Sequence, residues 1–132
     1  MREPAFLALD EVLAFHADQI RRYGGRPGVR DLELLKSAVS TPEAAYGGDY
    51  LHTNLFEMAA AYLFHIVRNH PFVDGNKRTG LIAALAFLGL NGLELDAEPE
   101  LLFELVMGVA SGDATKARLA VFLQEHACPR GG

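Results

Sequence analysis

The sequence predicts an all-α fold: a compact single-domain helical bundle with a short surface flap. Three observations point there. Apolar residues recur every third or fourth position through several long segments. Strict alternation of apolar and polar residues is confined to Leu93-Glu94-Leu95-Asp96, which is short for a strand. The periodic segments are parted by breakers such as Gly24-Gly25, Thr41-Pro42 and Ser111-Gly112-Asp113. At 132 residues the chain is long enough for one core, so one domain is expected over residues 1–127, with 128–132 as a frayed tail.

Each element follows from local chemistry. Leu9, Val12, Leu13, His16 and Ile20 share one helical face, with Asp10 and Glu11 in the first turn, predicting an amphipathic helix from about Leu7 to Tyr23. Gly24-Gly25 stops it, and Arg26-Pro27-Gly28 continues as loop. Asp31 suits the N-cap of a short helix through Val39 that buries Leu32, Leu35 and Val39. Residues 44–53 lack a helical period and contain Gly47-Gly48, so a surface loop or short hairpin is expected. Asn54 suits the cap of a helix whose Leu55, Met58, Tyr62, Leu63 and Ile66 cover more than one face, as in a helix buried on most sides. Pro71 drives His70 out of αR geometry and so ends that helix near Asn69. The next helix, capped by Asn76 and apolar all round from Leu81 to Leu90, finishes at Asn91-Gly92. Pro99 opens another through about Val109, and the last runs roughly from Ala114 to His126.

Composition excludes several classes. With 50% hydrophobic and 22% charged residues the chain reads as globular, not disordered. A formal net charge of −5 argues against a surface that clamps a nucleic-acid backbone, so no direct nucleic-acid partner is expected. A single cysteine, Cys128, excludes an intrachain disulfide and fits a reducing compartment. Met1-Arg2-Glu3-Pro4 lacks the apolar region of a signal peptide, and Leu81 to Leu90 is about half of a membrane span. A cytoplasmic location with no membrane partner is expected.

The chemistry gathers in His70-Pro71-Phe72-Val73-Asp74-Gly75-Asn76-Lys77-Arg78-Thr79-Gly80, between the two most apolar helices. Lys77 and Arg78 would lie in a helix first turn, where cations are unfavourable unless an anion neutralises them. Unpaired N–H groups, the positive dipole end and two cations make an anion site, best suited to phosphate. His70 at a helix end can take a proton from a hydroxyl at neutral pH. Asp74 is either a solvated turn residue or, beside a polyphosphate, a ligand for Mg²⁺. Gly75 supplies a turn with positive φ, Phe72 a core anchor. Arg68 is a surface cation or a nucleotide contact; position alone allows both. His16, His52, His65 and His126 show no metal-ligand spacing, and His65 is expected to be buried and bonded to backbone. No Gly-Lys-Ser/Thr completes a Walker-A loop.

This run, His70 to Arg78, resembles the signature of the Fic/Doc superfamily, specifically its death-on-curing branch. Tyr23-Gly24-Gly25, Pro27-Gly28-Val29-Arg30-Asp31 and Ala45-Tyr46-Gly47-Gly48 extend the resemblance over nearly the whole chain. The resemblance implies a compact helical fold and transfer of part of ATP to a protein hydroxyl. It makes His70 the base, Asp74 the Mg²⁺ ligand and Asn76 a further catalytic residue. Gly75, Asn76, Lys77 and Arg78 would hold phosphate, and residues 44–53 would be the flap that docks the target. Elongation factor Tu is the implied substrate and growth arrest the outcome.

Two positions depart from the Fic pattern: Lys77 stands where Fic enzymes have Gly, and Leu81 where they have a second Arg. Both changes remove support for an AMP-transferring pose, so the resemblance implies a kinase that presents the γ-phosphate. Fic proteins that inhibit themselves carry Ser/Thr-x-x-x-Glu-Gly/Asn; here Thr53 to Glu57 is followed by Met58, so an external antitoxin of a type II toxin–antitoxin pair is expected. An AMP transferase and a catalytically silent nucleotide- or partner-binding module remain the alternatives.

Overall fold

A computed structural model of the chain describes residues 3–131. Met1 and Arg2 of the N-terminal segment, and Gly132 of the expected tail, lie outside the described residues. The order is α1 (Leu9–Tyr23), α2 (Leu32–Ser40), a 3₁₀ turn (Thr41–Glu43), β1 (Ala45–Tyr46), β2 (Asp49–Tyr50), α3 (Leu55–Asn69), α4 (Asn76–Leu90), β3 (Leu93–Leu95), α5 (Pro99–Ser111), α6 (Lys116–His126) and β4 (Ala127–Pro129). The fold is helical, as expected. The flap is a short antiparallel hairpin, Ala45 opposite Tyr50 and Tyr46 opposite Asp49, turning on Gly47 and Gly48 with positive φ. No helix among the described residues is long and apolar enough to cross a membrane.

α3 is the centre. Met58, Ala59, Ala60, Ala61, Tyr62, Leu63 and Ile66 are fully buried; α2, α4, α5 and α6 pack on it, and α1 packs on α4 and α2. Its start is set by Asn54, whose side chain accepts from the Glu57 N–H. α4 crosses α3 closely because Gly80 has no side chain: a Cβ there would lie 2.9 Å from Val67 Cγ2 and 3.3 Å from the Leu63 carbonyl. Leu7 precedes α1 instead of opening it. Its N–H donates to the buried Tyr62 hydroxyl at 2.9 Å, and the Glu11 carboxylate takes the Ala8 N–H at 2.8 Å. In α2, Asp31 caps as expected and Leu35 and Val39 are buried, but Leu32 is 45% exposed.

The tail is a correction. Residues 127–129 form β4, antiparallel to β3 with Leu93 opposite Pro129, Glu94 opposite Cys128 and Leu95 opposite Ala127. Arg130 continues the order, its N–H donating to Gly92 O at 2.8 Å and its guanidinium to Gly89 O at 3.0 Å. The backbone groups of Leu93–Leu95 would otherwise lack partners, and the tail supplies them. The domain therefore runs past residue 127.

Candidate functional site

The site lies between the end of α3 and the start of α4. His70 leaves α3 in the left-handed region, φ 54° and ψ 51°, and among the described residues no other non-glycine has positive φ. Pro71 disfavours αR at His70, and the helix ends there on a left-handed residue, a common form of C-terminal turn. The Arg30 guanidinium donates to His70 O at 2.6 Å and Asn69 O at 2.9 Å, placing a cation on the negative end of α3. The 24–31 loop also braces the turn through backbone: Pro71 O accepts from Arg30 and Asp31 N–H groups, and Val73 N–H donates to Gly28 O. The His70 side chain is exposed.

Phe72 is fully buried, the anchor expected of it. Asn76 is not the N-cap. Gly75 takes that position with φ 78°, and Asn76 is the first residue of α4, turned inward and 4% exposed. Its amide closes a reciprocal pair with Phe72, accepting from the Phe72 N–H at 2.9 Å and donating to Phe72 O at 3.0 Å. The side chain shapes the loop from inside, so toward an anion Asn76 offers its backbone N–H. With Thr79 N–H bonded to Gly75 O, the N–H groups of Asn76, Lys77 and Arg78 have no intrahelical acceptor. Lys77 is exposed beside them. Arg78 donates to Gly24 O at 3.2 Å and lies 5.4 Å from the Tyr23 ring centroid.

Asp74 is exposed, and its carboxyl is held below the usual carboxylate range by the Arg26 N–H at 3.1 Å and then the Gly75 N–H at 2.9 Å. Each oxygen retains a free lone pair, so this is the side chain of the loop that can hold a metal. No group of three or more His, Cys, Asp or Glu side chains forms a cage among the described residues. A single ionised carboxylate suits Mg²⁺, which takes its other ligands from phosphate and water.

One expectation is corrected and one is narrowed. The Arg68 guanidinium is engaged by the end of α5, donating to Val109 O and Ala110 O, where the helix dipole favours a cation. His65 is half-buried and is not bonded to backbone. The Lys116 ammonium donates to its Nε2 at 3.0 Å and to His52 Nε2 at 3.1 Å. Desolvation, then the Lys116 charge, lowers the His52 pKa and brings that of His65 down to about 4.

The sequence reading missed Arg30 and His16. Nothing local marks Arg30, because its partners, the Asn69 and His70 carbonyls, are 39 and 40 residues further along the chain. His16 had a signal: an imidazole on the buried face of α1 must find a partner. It is 5% exposed, its Nε2 donates to Asp74 O at 2.8 Å, and its ring stacks on Phe72 with centroids 3.8 Å apart. Beside the loop, between α4 and α5, runs an apolar groove of about 340 Å³ lined by Leu81, Leu102, Phe103, Val106 and Met107, with Lys77 and Arg78 at its edge.

Comparison with known proteins gives the same direction. A model of the Fic/DOC family matches residues 6–88, more than half of the chain. The chain is 38% identical over 111 residues to the "Protein kinase doc" of Escherichia phage P1, covering 84% of this chain and 86% of the phage protein. It is 40% identical over 106 residues to the "Toxin Doc" of Mycolicibacterium smegmatis (strain ATCC 700084 / mc(2)155), covering 76% of this chain and 82% of that one.

Proposed function

This chain belongs to the Fic/DOC family, and from that premise we propose that it is a toxin of the protein-kinase type. It transfers the γ-phosphate of ATP to a Ser or Thr hydroxyl of a translation factor, elongation factor Tu, and so arrests growth. The observation that carries the reading is His70, exposed on a locked turn beside the open N-terminus of α4 with Asp74 and Lys77. A binding module needs no base there. The name of the phage relative supports the kinase class.

His70 takes the proton of the target hydroxyl, whose oxygen bonds to the γ-phosphorus as the bond to ADP breaks. The free N–H groups of Asn76, Lys77 and Arg78, the α4 dipole and the Lys77 ammonium bind phosphate oxygens, and Gly75 lets the backbone approach them closely. Asp74 holds Mg²⁺, which when bound neutralises phosphate charge. The hairpin of β1 and β2 docks the target segment. Lys77 adds a long cation where AMP transfer needs open backbone, and Leu81 supplies no second cation one turn further on.

The antitoxin is a segment that folds into the groove between α4 and α5, apolar in its floor and basic at its edge. Both substrate and antitoxin imply a cytoplasmic protein. The test is to incubate the protein with Mg-ATP and purified elongation factor Tu and to weigh the product. A phosphoryl-sized increase with ADP released is expected. A nucleotidyl-sized adduct with pyrophosphate would sink the kinase reading and leave an AMP transferase.

A further inference from the structure

The peptide between Asp74 and Gly75 sits at the centre of the loop, yet little in the loop itself fixes its orientation. A planar trans peptide points its C=O and N–H in opposite directions. Here the N–H donates to Asp74 Oδ1 at 2.9 Å, and the C=O points the other way, into the protein. Gly75 tolerates φ of either sign, so it offers small resistance to a flip of this plane. A flipped plane would set the carbonyl oxygen against the Asp74 carboxylate and push the carboxylate from its place. What opposes the flip comes from a different element: His16 of α1 donates to Asp74 O at 2.8 Å. The imidazole is itself immobile, being 5% exposed and stacked almost parallel on Phe72, with an interplanar angle of 6°. Phe72 is pinned in turn by the Asn76 amide.

We propose that His16 is a positioning residue: by taking the Asp74 carbonyl it holds the Asp74–Gly75 peptide with its N–H toward the Asp74 carboxylate and so fixes that carboxylate for its ligand. The donor must be Nε2–H, because a carbonyl can only accept. The inference rests on the nucleotide reading of the loop for its consequence, but not for its geometry.

Three proteins test it: wild type, His16→Gln, which keeps an amide donor at similar reach, and His16→Phe, which keeps the ring on Phe72 but has no donor. The first readout needs no ligand. In wild type and H16Q the Gly75 amide proton should shift with the titration of Asp74, and in H16F that coupling should vanish. A Gly75 amide that ignores Asp74 in the wild type overturns the inference without any variant, and coupling that survives in H16F overturns it equally. The second readout is Mg-ATP affinity, expected to fall roughly tenfold in H16F, about the worth of one buried hydrogen bond, and to return in H16Q. Equal affinities in wild type and H16F overturn the positioning role. A wild type that binds no Mg-ATP refutes the nucleotide reading instead, and the Gly75 signal still decides the place of His16.

Discussion

At the scale of single residues, chemistry and stability pull apart at His70. A β-carbon in the left-handed region costs about 1–2 kcal/mol, and glycine at such a helix end avoids it. His70→Gly should therefore be about 1 kcal/mol more stable to urea than His70→Ala, because only glycine is unstrained there. Both should lose phosphoryl transfer by roughly 10²–10⁴-fold, the usual worth of a general base. Near wild-type turnover in either would remove His70 from the chemistry. Asp74→Asn should weaken ATP binding in the presence of Mg²⁺ more than in its absence, read by calorimetry; equal loss would leave Asp74 as a turn residue. The residue types of this loop were legible in sequence because an imidazole, a carboxylate and two cations have narrow uses between two apolar helices. Their partners were not. An asparagine at an N-cap and one at the first helical position look alike in sequence, and only the pairing with Phe72 tells them apart. The partners of Arg68 were hidden for a related reason: the α5 carbonyls it bonds are remote in sequence.

At the scale of elements, helices were read correctly where a long period carried them, and their ends where a cap or proline did, as at Asp31, Asn54 and Pro99. The alternation of Leu93 to Asp96 marked β3 only weakly, and β4 escaped, because each is three residues long and owes its existence to the other. No local pattern in Ala127-Cys128-Pro129 distinguishes a strand from a tail. The crossing of α3 and α4 was also hidden, since Gly80 within a helix looks merely unfavourable. It holds His70 and Lys77 on adjoining helix ends by letting the two backbones close up. Gly80→Ala gains about 1 kcal/mol of helix propensity. Against this its Cβ would lie 2.9 Å from Val67 Cγ2, on a β-branched side chain that is 5% exposed and cannot rotate away. Overpacking of this kind costs about 1–3 kcal/mol, so net destabilisation is expected in urea unfolding. Val67→Ala in the same chain should recover part of it, the double variant losing less than the sum of the single ones. A Gly80→Ala protein more stable than wild type would show that the crossing is looser than the 2.9 Å approach implies.

At the scale of the whole molecule, the group that ties three parts of the chain together is basic throughout. His52 follows the flap, His65 lies in the middle of α3 and Lys116 opens α6, so the two hydrogen bonds of Lys116 link flap, centre and last helix. The arrangement works only with both imidazoles neutral, since each must present an Nε2 lone pair to the ammonium. Protonating either ring removes an acceptor and sets two cations at hydrogen-bond distance. Glu57, the acidic group near His52, offsets this only in part. The folded pKa values are lowered, that of His65 to about 4, against 6.5 for the unfolded chain. Below pH 6.5 the unfolded state thus binds more protons than the folded one. The cluster's contribution is complete above pH 6.5, declines as the pH falls, and is lost by about pH 4. Because His65 is only half-buried, solvent screening limits its share to the order of 1–2 kcal/mol. Carboxylates also titrate near the lower end, so the comparison is with His65→Gln, whose amide oxygen can accept from Lys116 and does not titrate. Wild type should lose more stability to urea between pH 6.5 and 5 than the variant, in which, of the two imidazoles, only His52 still titrates with a lowered pKa. Parallel curves for the two proteins over that interval would mean that the ring binds a proton as readily in the folded state as in the unfolded one and that Lys116 is held by something else.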